Sequence, residues 1–264
     1  MYTNEEPITG WVNMMKSVPG LCLGVGLGAI HVVYVDPKVN AIIIPADNVA
    51  NMIITTAHHA SKPRSNPTIP VFNHVPNNMA PSLTYGQGLH YIVELLLEKK
   101  IYSENQVWKP YVILTSSKVL FTFFFFLYHY LPAYFVDMCL WIVGKKPRVT
   151  KIYKKIEVMM RDMSYFSRTD FKFDDKQLKA LILSQSDEDK KLFNMDVTNI
   201  NWEKYFFKSI LGIKRYILKD SEDPKAGQKR HQTIMMAYYT LWIIIYGSLL
   251  YLSYVLLKMV FPIN

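Results

Sequence analysis

Cysteine is nearly absent from these 264 residues: only Cys22 and Cys139 occur, far apart and in apolar surroundings. Two such thiols build neither a disulfide framework nor a thiolate metal site, which suits a reducing compartment. The near-sequon Asn66-Pro67-Thr68 is disqualified by its proline. The opening MYTNEEPITGW has no basic stretch followed by an apolar run, so it does not read as a signal peptide. There is no G-x-S-x-G elbow and no H-E-x-x-H. Neither zinc-finger spacing nor an aromatic-basic RNP-like motif accompanies the formal net charge of +9, so nucleic acid is not the expected partner. The basic residues gather after Lys145 and precede a very apolar tail, an arrangement suited to an anionic membrane face.

Half the residues are apolar, enough for one large domain or two small ones with a proper core. From Thr233 to Leu257 there is no charge at all. At 1.5 Å per residue such a helix crosses a hydrocarbon core of about 30 Å with some tilt. Lys225, Lys229 and Arg230 precede it and only Lys258 follows. The positive-inside bias predicts a single-pass C-terminal anchor over 233–258 with the bulk of the chain cytosolic. A second apolar run, Val119 to Val136, is at the short limit for a span and contains His129 and Pro132. A full crossing there would carry the basic region 145–230 to the wrong side. Residues 118–144 are therefore expected to be membrane-associated or to contact an acyl chain.

Residues 1–117 alternate between strand-like and helix-like texture, which implies an α/β domain with part of a sheet. AIHVVYV, NAIIIP and TIPVFNHV read as strands and PRSNP as a loop. NVANMIITTAHHA reads as a helix N-capped by Asp47, with Val49, Ile53 and Ala57 on one face. SLTYGQGLHYIVELLLEKK reads as a second helix, capped near Ser82. Residues 145–232 are basic and helical. Within them KIYKKIEVMMRDMSYF places Ile152, Ile156, Met159, Met163 and Phe166 at helical spacing, with Lys151, Lys154, Lys155 and Arg161 largely elsewhere. That helix packs on its own domain or lies on a membrane surface.

Gly24-Val-Gly26-Leu-Gly28-Ala29 fits G-x-G-x-x-A, the spacing of a dinucleotide loop, with Asp36 as the following acid. The context disagrees. A strand-like segment follows the glycines, where the fingerprint requires a helix, and Asp36 comes only ten residues after Gly26. The expectation is a tight turn between two strands. Two Y-x-x-x-K pairs occur. Tyr34/Lys38 is interrupted by Pro37, and Tyr254/Lys258 lies at the end of the anchor, so neither suits a reductase proton donor. His58 and His59 are adjacent on a helix and cannot share a face around a metal. No catalytic, cofactor-binding or metal-ligating residue is assigned from these patterns.

The order of motifs nevertheless resembles a known family. Glu6-Pro7, Gly10-Trp11, the glycine-rich turn, Pro45-Ala46-Asp47, Val49 and Asn51 resemble its E-P-x-x-G-W, P-V-D and V-x-N pattern. LPAYFVDMCLWIVGKKPRVTKIYKKI is similar to an L-P-A…D…G-K-K-P…Y-x-K-I signature, and YFSRTDFKF, FNMDVTNINWEKYF and GIKRYILKD to later landmarks. Together they resemble the C-terminal half of an alcohol-forming fatty acyl-CoA reductase of the animal, especially insect, type. Ala46 departs from the usual valine, and His31 stands where a basic residue is frequent; both bear on substrate detail.

The resemblance implies the substrate-side part of an extended short-chain dehydrogenase/reductase fold, followed by a mainly helical domain and a transmembrane helix. It implies NADPH-dependent reduction of long-chain fatty acyl-CoA to fatty alcohol at a membrane, in the endoplasmic reticulum or peroxisome. The family's T-G-x-x-G-F-x-G loop and Y-x-x-x-K pair would lie upstream of Glu5-Glu6. This chain alone is therefore expected to bind no NADPH and to be inactive, with a homo-oligomer or an intact reductase subunit as further partners. The alternative is a catalytically dead, membrane-anchored module that binds lipid or a partner.

Overall fold

The structure is a computed structural model and describes residues 2–13, 18–62, 68–76 and 83–260. Two short strands lie at its centre, β1 (Val32–Tyr34) and β2 (Ile113–Thr115). They pair in parallel, with Val32 opposite Ile113 and Tyr34 opposite Thr115. Every residue of β1 is buried, as a parallel strand covered on both faces must be. A parallel pair requires a long crossover, and it contains α2 (Ala46–Ser61) and α3 (Tyr85–Glu98). Ahead of β1 stands α1 (Val18–Gly26), packed against α3.

After β2 the chain is almost wholly helical. α4 (Lys118–Phe125), a π-helical turn (Phe126–Tyr130) and α5 (Leu131–Ile142) form one continuous rod. α6 (Val149–Ser167) runs back across β1. α7 (Lys176–Leu183) and α8 (Asp187–Leu192) lead to α9 (Trp202–Gly212), which packs on α3. The final helix, α10, is Pro224–Val260. Its 37 residues reach roughly 55 Å at 1.5 Å per residue. The architecture is thus mostly helical around a two-stranded sheet.

Several local expectations are corrected. The segment before the glycine turn is helix α1, not a strand. Its glycines cost about 1 kcal/mol each against alanine, but Gly26 lets α3 approach, a Cβ there falling 3.2 Å from Leu96. NAIIIP forms no strand beyond a single antiparallel bridge from Asn40 to Thr84. TIPVFNHV forms none either; it is fixed by side chains, Asn73 Nδ2 donating to the Asp174 carbonyl and His74 meeting that of Met195. Pro45 and Pro70 lack the N–H groups that a ladder needs. PRSNP and Ser82 lie outside the described residues; α3 is capped by Thr84 in a reciprocal box with Gln87.

Asp47 does not cap its own helix, which starts one residue earlier after Pro45. Its carboxylate instead accepts from the backbone N–H groups of Asn4, Glu5 and Glu6 at 2.8–3.3 Å. The face of α2 is also other than expected. Ile53 and Ala57 are exposed, and the helix is held by Asn48 and Asn51, both donating to the Asn194 carbonyl at 3.1 Å. In α6 the buried positions are Met160 and Ser164, whereas Ile152, Met159, Met163 and Phe166 are exposed.

Among the described residues two helices are long and apolar enough to cross a membrane, Lys118–Ile142 and Pro224–Lys258. In the first, 22% of the most apolar window is buried; in the second, none is.

Candidate functional site

The glycine run can be tested as a phosphate cradle atom by atom. Gly24 and Gly26 lie in the last turn of α1, so the helix presents its carbonyl end there, the wrong pole for an anion. The amides a phosphate would need are already donated: Leu27 to the Leu23 carbonyl, Gly28 to Val25, and Ala29 and Ile30 to Gly24, at 2.8–3.0 Å. Gly28 has φ +66° and abuts the Trp108 carbonyl, a turn and a close approach that only glycine accommodates freely. These residues do not fit a dinucleotide pyrophosphate. They fix the entry into β1.

Neither Tyr-x-x-x-Lys pair forms a donor site. Tyr34 is buried in β1, its ring stacked on Phe121 at 4.8 Å and lying 4.5 Å from the Arg168 guanidinium. Lys38 follows in a turn closed by its own N–H on the Asp36 carboxylate. Tyr254 and Lys258 lie at the far end of α10. His58 and His59 are exposed, His59 packing edge-on to Phe72. No group of three or more His, Cys, Asp or Glu gathers among the described residues.

What the fold does build is apolar space. An apolar groove runs between α1, β1, α3 and α6, with Leu21, Val33, Leu89 and Met160 among its walls. Met159, Met163 and Phe166, the residues of α6 that turned out exposed, line it as well. Its lining is almost wholly apolar, as in small-molecule sites, and methionines suit a flexible apolar ligand because they repack readily. Beneath α1 a smaller apolar space is bounded by Tyr2, Cys22 and Phe206. Burial pushes the Cys22 thiol up to about 12, which leaves it protonated and inert.

Beside the groove a histidine pair ties the α4–α5 rod to the sheet. His129 Nε2 accepts from the backbone N–H groups of His31 and Val32 at 3.3 and 3.2 Å, closing the free edge of β1. His31 stacks on Tyr111 at 4.0 Å, and burial lowers its pKa to about 4, so it is neutral at pH 7. Tyr153 of α6 donates to the Ala29 carbonyl at 2.9 Å. Asp137 caps α6 from the neighbouring helix, accepting from the amides of Arg148, Val149 and Thr150 and from the Thr150 hydroxyl at 2.6–2.9 Å. The L-P-A…D…G-K-K-P signature is therefore a clamp: Ala133 packs inward, Asp137 holds the next helix, and the chain reverses at Gly144. Sequence reasoning assigned none of these roles. An aspartate eight residues after a histidine in an otherwise apolar run was the available signal, since buried polar groups need partners.

Comparison with known proteins gives a consistent result. Residues 128–220 match the Male sterility protein family model. The chain is 32% identical to fatty acyl-CoA reductase wat of Drosophila melanogaster over 262 residues, 97% of this chain and 49% of that protein. It is 28% identical to fatty acyl-CoA reductase 2 of Mus musculus over 228 residues, 86% of this chain and 44% of the relative. Fatty acyl-CoA reductase 1 of Homo sapiens is 25% identical over 229 residues, 86% and 43%. The chain spans about half the length of the curated relatives it matches.

Proposed function

We propose that this chain, similar to fatty acyl-CoA reductases over nearly its whole length, is a member of that family and supplies the acyl side and the membrane attachment of an NADPH-dependent enzyme reducing long-chain fatty acyl-CoA to fatty alcohol. The observation that carries this reading is similarity to reductases running nearly the length of the chain. Residues 1–117 are then the substrate-side part of an extended short-chain dehydrogenase/reductase domain, and 118–144 the membrane- or acyl-contacting segment. Residues 145–232 are the basic helical domain and 233–258 the anchor.

In the complete enzyme a nicotinamide cofactor would supply the hydride chemistry, one NADPH for the thioester with release of coenzyme A and a second for the aldehyde; no residue of this chain is assigned to hold it. The groove walled by Leu21, Val33, Leu89 and Met160 holds the apolar tail and excludes water around it. The chain alone does not turn over. Its glycine run has spent its amides, and neither Tyr-x-x-x-Lys pair places its tyrosine and lysine at the groove as a donor pair.

The test is a chimera placing this chain behind the portion of the Drosophila relative that it does not cover. With palmitoyl-CoA and NADPH the chimera is expected to form fatty alcohol, the isolated chain none. Met163→Arg at the groove rim is expected to raise KM for the long-chain substrate. A folded chimera without product would overturn the assignment, and turnover by the isolated chain would overturn its dependence on another half.

A further inference from the structure

The α4–α5 rod has two unlike faces. Phe121, Phe125, His129 and Ala133 turn inward at four-residue spacing and are at most 1% exposed. In an α-helix that spacing drifts by about 40° per step. The π turn at Phe126–Tyr130 rotates less per residue and brings the stripe back onto the core. The opposite face carries Val119, Phe123, Leu131, Phe135, Trp141 and Ile142, between half and more than three-quarters exposed. An apolar strip of that length is far beyond what an isolated soluble domain leaves to water.

Three further observations say what covers it. Residues 145–155, directly after the rod, contain Lys145, Lys146, Arg148, Lys151, Lys154 and Lys155 and no acid. All six are exposed, and none forms an ion pair within the described residues. Second, the rod adjoins the head of the anchor through aromatic rings. Tyr238 of α10 meets Trp108 at 6.1 Å and Lys109 lies 4.9 Å from its ring, while Tyr111 meets Tyr128 of the rod at 6.1 Å. Tyrosine and tryptophan favour the headgroup level of a bilayer. Third, the rod cannot leave the core to span. That would strip His129 from β1 and Asp137 from the start of α6.

We infer that α4–α5 lies in the plane of the membrane that α10 enters, its outward face immersed in one leaflet and residues 145–155 on anionic lipid headgroups. This rests on the reading of α10 as an anchor. The occupant is a bilayer rather than a protein because the apolar strip is flanked by unpaired cations, the pattern of an interfacial helix.

Native Cys139 is exposed on the rod and Cys22 is buried, so one nitroxide reports on this face without mutation. The full chain is reconstituted in phosphatidylcholine vesicles with and without phosphatidylserine. Collision with oxygen and with a water-soluble nickel chelate is then read by electron paramagnetic resonance. The expected oxygen-to-nickel ratio is several-fold above that of a label at Glu188→Cys in a Cys139→Ser background. In that same background, labels at Val119→Cys, Phe126→Cys, Phe135→Cys and Ile142→Cys are expected at one depth. Charge reversal of Lys145, Lys146, Lys151, Lys154 and Lys155 to glutamate is expected to abolish any deepening by phosphatidylserine.

A water-like ratio at Cys139 in a vesicle-bound chain overturns the inference, as does depth that peaks at mid-rod, which is a span. Exclusion of both oxygen and nickel means a protein cover and overturns it too. A chain that does not stay with vesicles overturns the anchor reading and this one with it.

Discussion

α4–α5 and α10 are alike in hydropathy and opposite in what holds them. The rod is bound to the core by an aromatic stripe and by polar ties at His129 and Asp137. Tyr130 adds a third tie by donating to Glu157 at 2.6 Å. The apolar part of α10 has almost no protein contact beyond its first turns, where Tyr238 and Trp108 meet. Both pass a composition test for a span, but only α10 has nothing to lose by entering lipid. The difference lies in the partners of a few polar side chains, because leaving a buried donor or acceptor unpaired costs about 1–3 kcal/mol each. A helix with several such ties stays with its domain however apolar its other face.

The largest effect is expected where the contrast is sharpest. Ile244→Lys with Leu249→Lys puts two charges at the middle of α10, both positions being exposed. Each should cost roughly 2.5–3.5 kcal/mol of insertion. The chain is then expected to move from the membrane pellet to the supernatant on alkaline carbonate extraction, with its fold retained. Continued resistance to carbonate would show that the rod, not α10, is the principal anchor.

A smaller effect separates the two faces of the rod. Phe125→Ala removes a fully buried ring packed on His129 and Tyr153 and should cost about 3–5 kcal/mol. Phe126→Ser, one residue on and exposed, should stay within about 0.5 kcal/mol in detergent. Urea unfolding of the two variants side by side checks the ratio. Equal destabilisation would mean that the outward face is packed against protein.

How much of this was legible depends on how local each interaction is. The charge-free stretch 233–257 and the basic region 145–232 have compositional signals, and their helical character agrees with them. β1 announced itself through Val32 and Val33. Orientation was not legible. The predicted stripe of α2 failed because Asn48 and Asn51 bind a carbonyl 146 and 143 residues away. That of α6 is rotated because Tyr153 and Glu157 are claimed by Ala29 and by Tyr130 and Arg161. NAIIIP had the texture of a strand but no neighbouring ladder. The groove draws on residues from Val18 to Ser167, so no window of sequence contains it. The family signatures were visible as spellings, and their physical meaning, Asp47 gripping Asn4–Glu6 and Asp137 gripping α6, emerged only in three dimensions.

The smallest effect concerns the ties themselves and is set by pH. His31 faces His129 across 5.8 Å and Tyr111 across 4.0 Å, and no carboxylate accepts from it to stabilise a charged ring. Burial lowers its pKa from 6.5 to about 4. Its folded pKa lies below the unfolded one, so between those values the unfolded chain binds more protons and stability falls as the pH is lowered. The contribution is intact above about pH 6.5 and lost progressively down to about pH 4; a shift of this size corresponds to roughly 3 kcal/mol at most. His31→Gln should flatten the acid limb of stability between those limits while leaving carbonate resistance unchanged, because α10 shares none of the ties. Equilibrium unfolding at a series of pH values in detergent measures it. An acid limb as steep in the variant as in the parent would place the titrating tie elsewhere, and loss of carbonate resistance in the same window would show that the two helices are held by a common device after all.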